Sequence, residues 1–369
     1  MYNFIIGMML LFILLPGMGI PVTYFVKPNG DDNGAGTSWE TAFQTITKAT
    51  DVAISGSQIW VKTGTYKEGD TIEIDKGISY YGGFEGTETD LEQRDISAFP
   101  TIIDGEELYG CVTNKGAIDG FLIINGKTLY GGGGIFNDQG IITNCNICFN
   151  SSERGGGIYN RSGTVTKCRI YSNSVSNYGG GILIYEGTIN NCNIYSNSAS
   201  YGGGIDNVYG IITNCNICFN SSERGGGIYN RYGTVTNCKI YSNSSSNYGG
   251  GIFIYDGTIN NCTIYSNSAS YGGGIDNHNY GTVTNCISWK NENSDIIGQR
   301  NDISYSCFGE ARGKNGNIRE NPLFVNTSGD PSTWDFHLQD GSPCIDVGTL
   351  ENAPETDIES NPRPGGDRK

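Results

Sequence analysis

Two cysteine pairs, Cys145-x-x-Cys148 and Cys215-x-x-Cys218, have the spacing of half a zinc site or of a thiol redox motif. Two carboxylates, Asp206 and Asp276, stand 70 residues apart in similar surroundings, as paired acids for hydrolysis would need to converge. Histidine is scarce, with only His278 and His337. Tyrosine is abundant and regularly placed: Tyr171 and Tyr195, Tyr241 and Tyr265, then Tyr178, Tyr201, Tyr248 and Tyr271, with Arg154 and Arg224 at related positions. A Tyr ring offers a flat apolar face with a polar tip, suited to stacking on sugars or to protein contact.

The elements that position these residues follow from a repeat. Gly-rich steps end in Ile135, Ile158, Ile182, Ile205, Ile228, Ile252 and Ile275, at intervals of 23, 24, 23, 23, 24 and 23 residues. Cys145, Cys168, Cys192, Cys215, Cys238, Cys262 and Cys286 keep the same beat, as do Asn150, Asn173, Asn197, Asn220, Asn243 and Asn267. So regular a period means a solenoid. The string GIITNCNICFNSSERGGGIYNR occurs at 140–161 and again at 210–231, so a block of three coils has been duplicated.

Each unit reads as three short strands separated by turns, rich in Thr, Ile, Val and Tyr. In 155–173, alternation sends Ile158, Val165, Cys168 and Ile170 inward and Thr164, Thr166, Arg169 and Tyr171 outward, with a bend between Val165 and Cys168. A leucine-rich repeat is excluded because its Leu lattice is absent. The fold class is all-β, a parallel β-helix in which equivalent residues stack ~4.8 Å apart in straight rows. Ile and Val rows form the core, and the Asn row at the turns satisfies backbone groups coil after coil.

Alternation also judges the chemistry. Cys145 faces in and Cys148 faces out, so they cannot close on one metal; the inner Cys row reads as small buried hydrophobes, and Cys148 and Cys218 as the accessible thiols. Asp206 and Asp276 lie three coils apart, ~14 Å, too far for a glycosidase pair. The duplicated Arg154, Arg161, Arg224 and Arg231 read as surface charge, with Arg stacking over Tyr where Arg154, Tyr178 and Tyr201 succeed one another. Thr164, Thr188, Thr234, Thr258 and Thr282 form an outward hydroxyl rank suggestive of ice binding, but Ile211 interrupts it, and Asn190 and Asn260 interrupt the neighbouring rank.

The chain has 369 residues, 56 of them Gly, and a net charge of −15. Seven acidic and eight basic residues between Gly131 and Lys290 leave the repeats near neutral, so the acidity lies in the flanks and no basic face for nucleic acid exists. Residues 1–19 read as a signal peptide: Phe4 to Leu15 is apolar but too short to span a bilayer, and Gly17 and Gly19 supply a cleavage pattern. The mature chain is thus expected to lack a membrane span. Residues 20–130 read as a cap and irregular first coils, 131–290 as the regular helix, and 291–369 as C-terminal coils and tail. Thr37 with Glu40 resembles a capping box, and Trp39, Ala42, Phe43, Ile46, Ala49 and Val52 follow helical spacing, predicting an amphipathic helix over the first coil.

The segments YFVKPNGDDNGAGTSWETAFQTITKA, YYGGFEGTETDLEQRD and IDGFLIING resemble the N-terminal coils of secreted bacterial right-handed β-helix proteins of the pectate-lyase-like superfamily. The GGGI steps followed by I-x-x-N resemble the repeats of polymorphic outer membrane proteins. The segment DFHLQDGSPCIDVGT, with TDIESNPRP after it, resembles the end of bacterial surface proteins carrying one of several alternative anchors. The resemblance implies a right-handed helix at the cell surface or outside the cell. Enzymes of that group cut acidic polysaccharides, by clustered carboxylates or, in lyases, by calcium-binding acids with a basic residue; the Gly-His-Gly step and Asp pairs of its polygalacturonase-like members are missing. The expectation is a monomer without a cofactor, calcium entering only for a lyase, that binds a polysaccharide or a host or cell-surface component without catalysis. The binding candidates are Tyr171, Tyr178, Tyr195, Tyr201, Tyr241, Tyr248, Tyr265, Tyr271, Arg154 and Arg224. The alternative is a polysaccharide lyase or glycoside hydrolase.

Overall fold

A computed structural model describes residues 20–298, 302–351 and 353–363; the leader expected at 1–19 lies outside them. The chain winds into a parallel β-solenoid of about 11 turns. Each regular coil contributes one strand to each of three long parallel sheets. Ile158–Asn160 belongs to the first, of ten strands, Thr164–Thr166 to the second, of twelve, and Arg169–Tyr171 to the third, of eleven. Register is strict: Ile158 pairs with Ile182, Val165 with Ile189 and Ile170 with Ile194. The duplication therefore stacks like upon like. The inward and outward assignments hold, with Ile158, Val165 and Ile170 fully buried and Cys168 nearly so.

Three local features force the chain round each coil. At the glycine step, backbone lies directly on backbone: a Cβ on Gly157 would stand 2.7 Å from the carbonyl oxygen of Gly181, which no side chain tolerates. The bend between the second and third sheets is a single left-handed residue, Lys167 or Asn191 for example, at φ 54°. The next corner holds Ser172, Ser196, Phe149 or Phe219, also at positive φ, followed by the Asn row. There Asn197 Oδ1 accepts from the Asn173 backbone N–H and side-chain amide, both at 3.0 Å, while Asn197 Nδ2 donates to Ile170 O, Tyr195 O and Asn220 Oδ1. A second buried ladder, Asn114, Asn137 and Asn160, with Asn207 and Asn230 after a gap, lines the turn after the first sheet. Its rhythm was in the sequence too, interrupted where Ile184 takes the Asn position.

The N-terminal cap is shorter than the spacing predicts. Only Ile46–Val52 is helical, with Thr45 as N-cap accepting from the Lys48 N–H; the Thr37–Glu40 capping box does not form. Phe43 is drawn into backbone pairing with Phe25 and Lys27, and Trp39 into an aromatic cluster with Phe25 and Phe84, which holds 39–43 out of a helix. Ile46 and Ala49 still seal the first coil, as intended for a cap. No described helix is long and apolar enough to cross a membrane.

Past the last coil, Phe324–Asn326 pairs antiparallel with Asp335–Leu338, and this hairpin lies on the outer face of the third sheet. It covers the row that Tyr241 and Tyr265 occupy, which reading by period alone places in the open.

Candidate binding face

The rim row assembles as the spacing implies. One residue per coil, Arg154 stands beside Tyr178, then Tyr201, Arg224, Tyr248 and Tyr271. The rings of Tyr178 and Tyr201 stack at 5.1 Å, those of Tyr248 and Tyr271 at 5.3 Å, and the Arg224 guanidinium bridges the two pairs, 5.8 Å from Tyr201 and 5.5 Å from Tyr248. Cation and ring faces thus alternate along one ridge.

Beside it runs a row that the sequence reasoning missed: Phe136, Tyr159, Leu183, Asp206, Tyr229, Phe253 and Asp276, on the outer face of the first sheet. The signal was the residue after each GGGI step, outward by the same alternation. Arg231 ties the two rows, its guanidinium over Tyr178 at 4.8 Å and Tyr229 at 5.2 Å while gripping Asp206 through two bonds of 2.7 and 3.0 Å. Its duplicate Arg161 has Phe136 where Arg231 has Asp206, and turns instead to Asp138 at 3.7 Å. Identical segments therefore carry different electrostatics. Between the rows lies a cleft of about 310 Å³ lined by Arg154, Tyr159, Tyr178, Leu183, Tyr185, Val208 and Arg231.

Both carboxylates on this face are buried, and burial raises them: Asp206 goes above the ordinary range despite the opposing charge of Arg231, and Asp276 is pushed up to about 6 although His278 and Arg224 favour its ionised form. They remain three coils apart, ~14 Å at the stacking repeat, and do not form an acid pair. Calcium takes six to eight oxygen ligands. Asp206 is engaged by Arg231 and Asp276 lies three coils away, so these two carboxylates do not converge on one ion, and among the described residues no group of three His, Cys, Asp or Glu side chains is placed to hold a metal.

The second Tyr row divides. Along the third sheet it reads Cys148, Tyr171, Tyr195, Cys218, Tyr241, Tyr265 and Trp289. Tyr171 and Tyr195 stack face to face at 4.9 Å and are partly exposed. Tyr241 and Tyr265 lie under Trp334 and Phe336, with Tyr265 hydroxyl against Thr327 Oγ1 at 2.8 Å; Tyr265 is only 3% exposed. Cys148 and Cys218 face outward but are not accessible: the flanking rings leave them 1% and 8% exposed, and burial pushes the Cys218 thiol up to about 11. The expectation that these are the reactive thiols is corrected accordingly. The inner Cys row is buried as read, each Sγ close to a carbonyl oxygen, as in Cys168 to Thr166 at 3.2 Å.

Under the tail, a cavity of about 620 Å³ is walled by Lys239, Cys307, Phe336, His337, Cys344, Glu359 and Arg363 among others. His337 sits between Asp335, at 2.5 Å from Nδ1, and Glu359, at 3.1 Å from Nε2; these carboxylates raise its pKa and hold the proton on the ring. Such a histidine serves as an anchor for the tail better than as a base.

The solenoid is that of a solved pectate lyase. The chain superposes on the crystal structure of pectate lyase Pel9A with a TM-score of 0.58, at 15% identity, over 94% of this chain and 98% of that one. A complex of XylC with xylose gives a TM-score of 0.41 at 12% identity, over 72% of this chain and 68% of that one, and a rhamnogalacturonan lyase gives 0.24 at 13%, over 73% and 69%. The fold is the right-handed β-helix seen in that pectate lyase. No protein-family model and no curated protein sequence matches the chain.

Proposed function

We propose that this chain is a glycan-binding β-helix of the bacterial cell surface or exterior, without catalysis, and that the ridge from Arg154 to Tyr271 with the cleft beside it receives an extended polysaccharide bearing anionic groups. The single observation that carries this reading is the alternation of stacked Tyr pairs with guanidinium groups at one residue per coil. The rings, stacked on one another and on Arg224, turn edges and hydroxyls outward for contact with sugars along a chain, and Arg adds bidentate recognition of carboxylate. Tyr171 and Tyr195 offer a second, smaller stacking surface.

The test is a panel of polygalacturonate, alginate, xylan and a neutral glucan, with binding followed by calorimetry and product followed by absorbance of unsaturated ends and by reducing ends, with and without calcium. Binding of an acidic polymer should weaken with salt and fall at least tenfold in the Tyr178→Ala, Arg224→Ala double variant. Accumulation of unsaturated or reducing ends would overturn the non-catalytic reading, and unaltered affinity in the variant would move the site off this ridge.

A further inference from the structure

Eleven of the twelve cysteines are buried; Cys344 alone is partly exposed. It belongs to the tail that follows the hairpin, and it opens into the cavity beneath that tail. The Cys307 thiol, 3% exposed, lines the same cavity and is the neighbour that shifts the Cys344 thiol most. Cys307 differs from the inner row. It follows Ile287 on the outer face of the third sheet, while Ser306 takes the inward place after Cys286 and its Oγ accepts from the Cys286 N–H at 3.1 Å. Both partners are held in place. Cys307 Sγ lies 3.1 Å from Glu320 O, and the Cys344 N–H donates to Ser342 Oγ, itself bonded to Pro322 O at 2.6 Å.

We propose that Cys307 and Cys344 are a disulfide-forming pair that ties the tail covalently to the last coil, closing a loop that contains the entire hairpin. The oxidant is a small-molecule or protein disulfide. The exposed Cys344 thiolate attacks one sulfur of that disulfide, forming a mixed disulfide and releasing one thiolate; Cys307, on losing its proton, attacks Cys344 Sγ and releases the second. Two protein thiols are oxidised and one external disulfide is reduced to two thiols, so atoms and electrons balance. Cys344 is the partly exposed thiol of the two, and the neighbouring Cys307 thiol holds it below the ordinary range while Cys307 itself is raised, which makes Cys344 the entry point and Cys307 the resolving thiol. The inner row lacks an entry point of this kind: its thiols sit inside the coil at 2% exposure or less. Oxidation fixes the hairpin over Tyr241 and Tyr265, so the covered half of the Tyr row becomes a permanent part of the molecule.

The full chain, treated with oxidised glutathione at pH 8 and quenched with an alkylating agent, should lose two hydrogens in mass and yield one cross-linked peptide joining Cys307 to Cys344. Cleavage by trypsin within 309–343 should then leave its fragments linked until reductant is added. Cys307→Ser should stop at a stable glutathione adduct on Cys344, and Cys344→Ser should take up no glutathione. A wild-type protein in which Cys344 stays as the glutathione adduct, is alkylated, or pairs between two molecules would overturn the proposal, and the peptide map of wild type decides it whether or not the variants fold.

Discussion

Asp276 shows what a single outward side chain does once its neighbours cover it. The carboxyl is 4% exposed and titrates near 6 instead of 3.8 because burial penalises its charge. The folded state then keeps a proton that the unfolded chain has released, so the contribution is full below about pH 4 and is lost as pH rises through about 6. By pH 7 the ionised group costs on the order of 2–3 kcal/mol relative to a neutral isostere. Asp276→Asn should therefore gain roughly that amount at pH 7.5 in urea unfolding and nothing at pH 4. Equal gains at the two pH values would show that the carboxyl titrates normally.

Within the coil, the corner that precedes each Asn is the element most exposed to damage. A left-handed Ser or Phe is tolerable there because the amide ladder fixes the backbone on both sides. Asn197→Leu keeps the volume but leaves the Asn173 N–H without its acceptor and takes one hydrogen bond each from the Asn173 amide, the Asn220 amide oxygen and the carbonyls of Ile170 and Tyr195. At ~1–3 kcal/mol for each unsatisfied buried group, a loss of at least ~3 kcal/mol is expected, against ~0.5 kcal/mol or less for Thr188→Ala on the outer face. Hydrogen exchange localised to coils 173–220 would report it, and protection as strong as in the wild type would mean that glycine stacking alone holds the corner.

For the molecule as a whole, the duplication makes a strict experiment available. Removing 205–274 joins Gly204 to Ile275 and stacks the Ile275 strand on the Ile182 strand, one period moved by three coils. The same cut slides Tyr171 and Tyr195 into the places of Tyr241 and Tyr265, and Arg169 into that of Lys239, which pairs with Glu359. Since each coil contacts only its neighbours, the shortened chain should fold and its hairpin should dock on the substituted rings. Limited proteolysis of the hairpin should match wild type. A protected solenoid with a freely cleaved hairpin would show that docking depends on more than these rings.

The sequence by itself determined the solenoid, its three strands per coil and the inward rows, because burial in a stacked helix repeats with the period and leaves the same residue types at the same phase: Ile182, Cys192 and Asn197 could be placed from spacing alone. It also ordered the rim from Arg154 to Tyr271. Tertiary structure decided everything that rests on what covers an outward residue. Tyr171 and Tyr265 share a row and an alternation phase, yet one faces the open and the other lies beneath Trp334, because the cover comes from a hairpin tens of residues further along the chain. Arg161 and Arg231 share a local sequence, yet only Arg231 meets a buried carboxylate, because its partner is set by the coil before. Trp39 to Phe43 kept helical spacing and still left the helix, since strand pairing and aromatic packing outweighed local preference. Period encodes which way a side chain points, and contact between distant segments decides whether solvent reaches it.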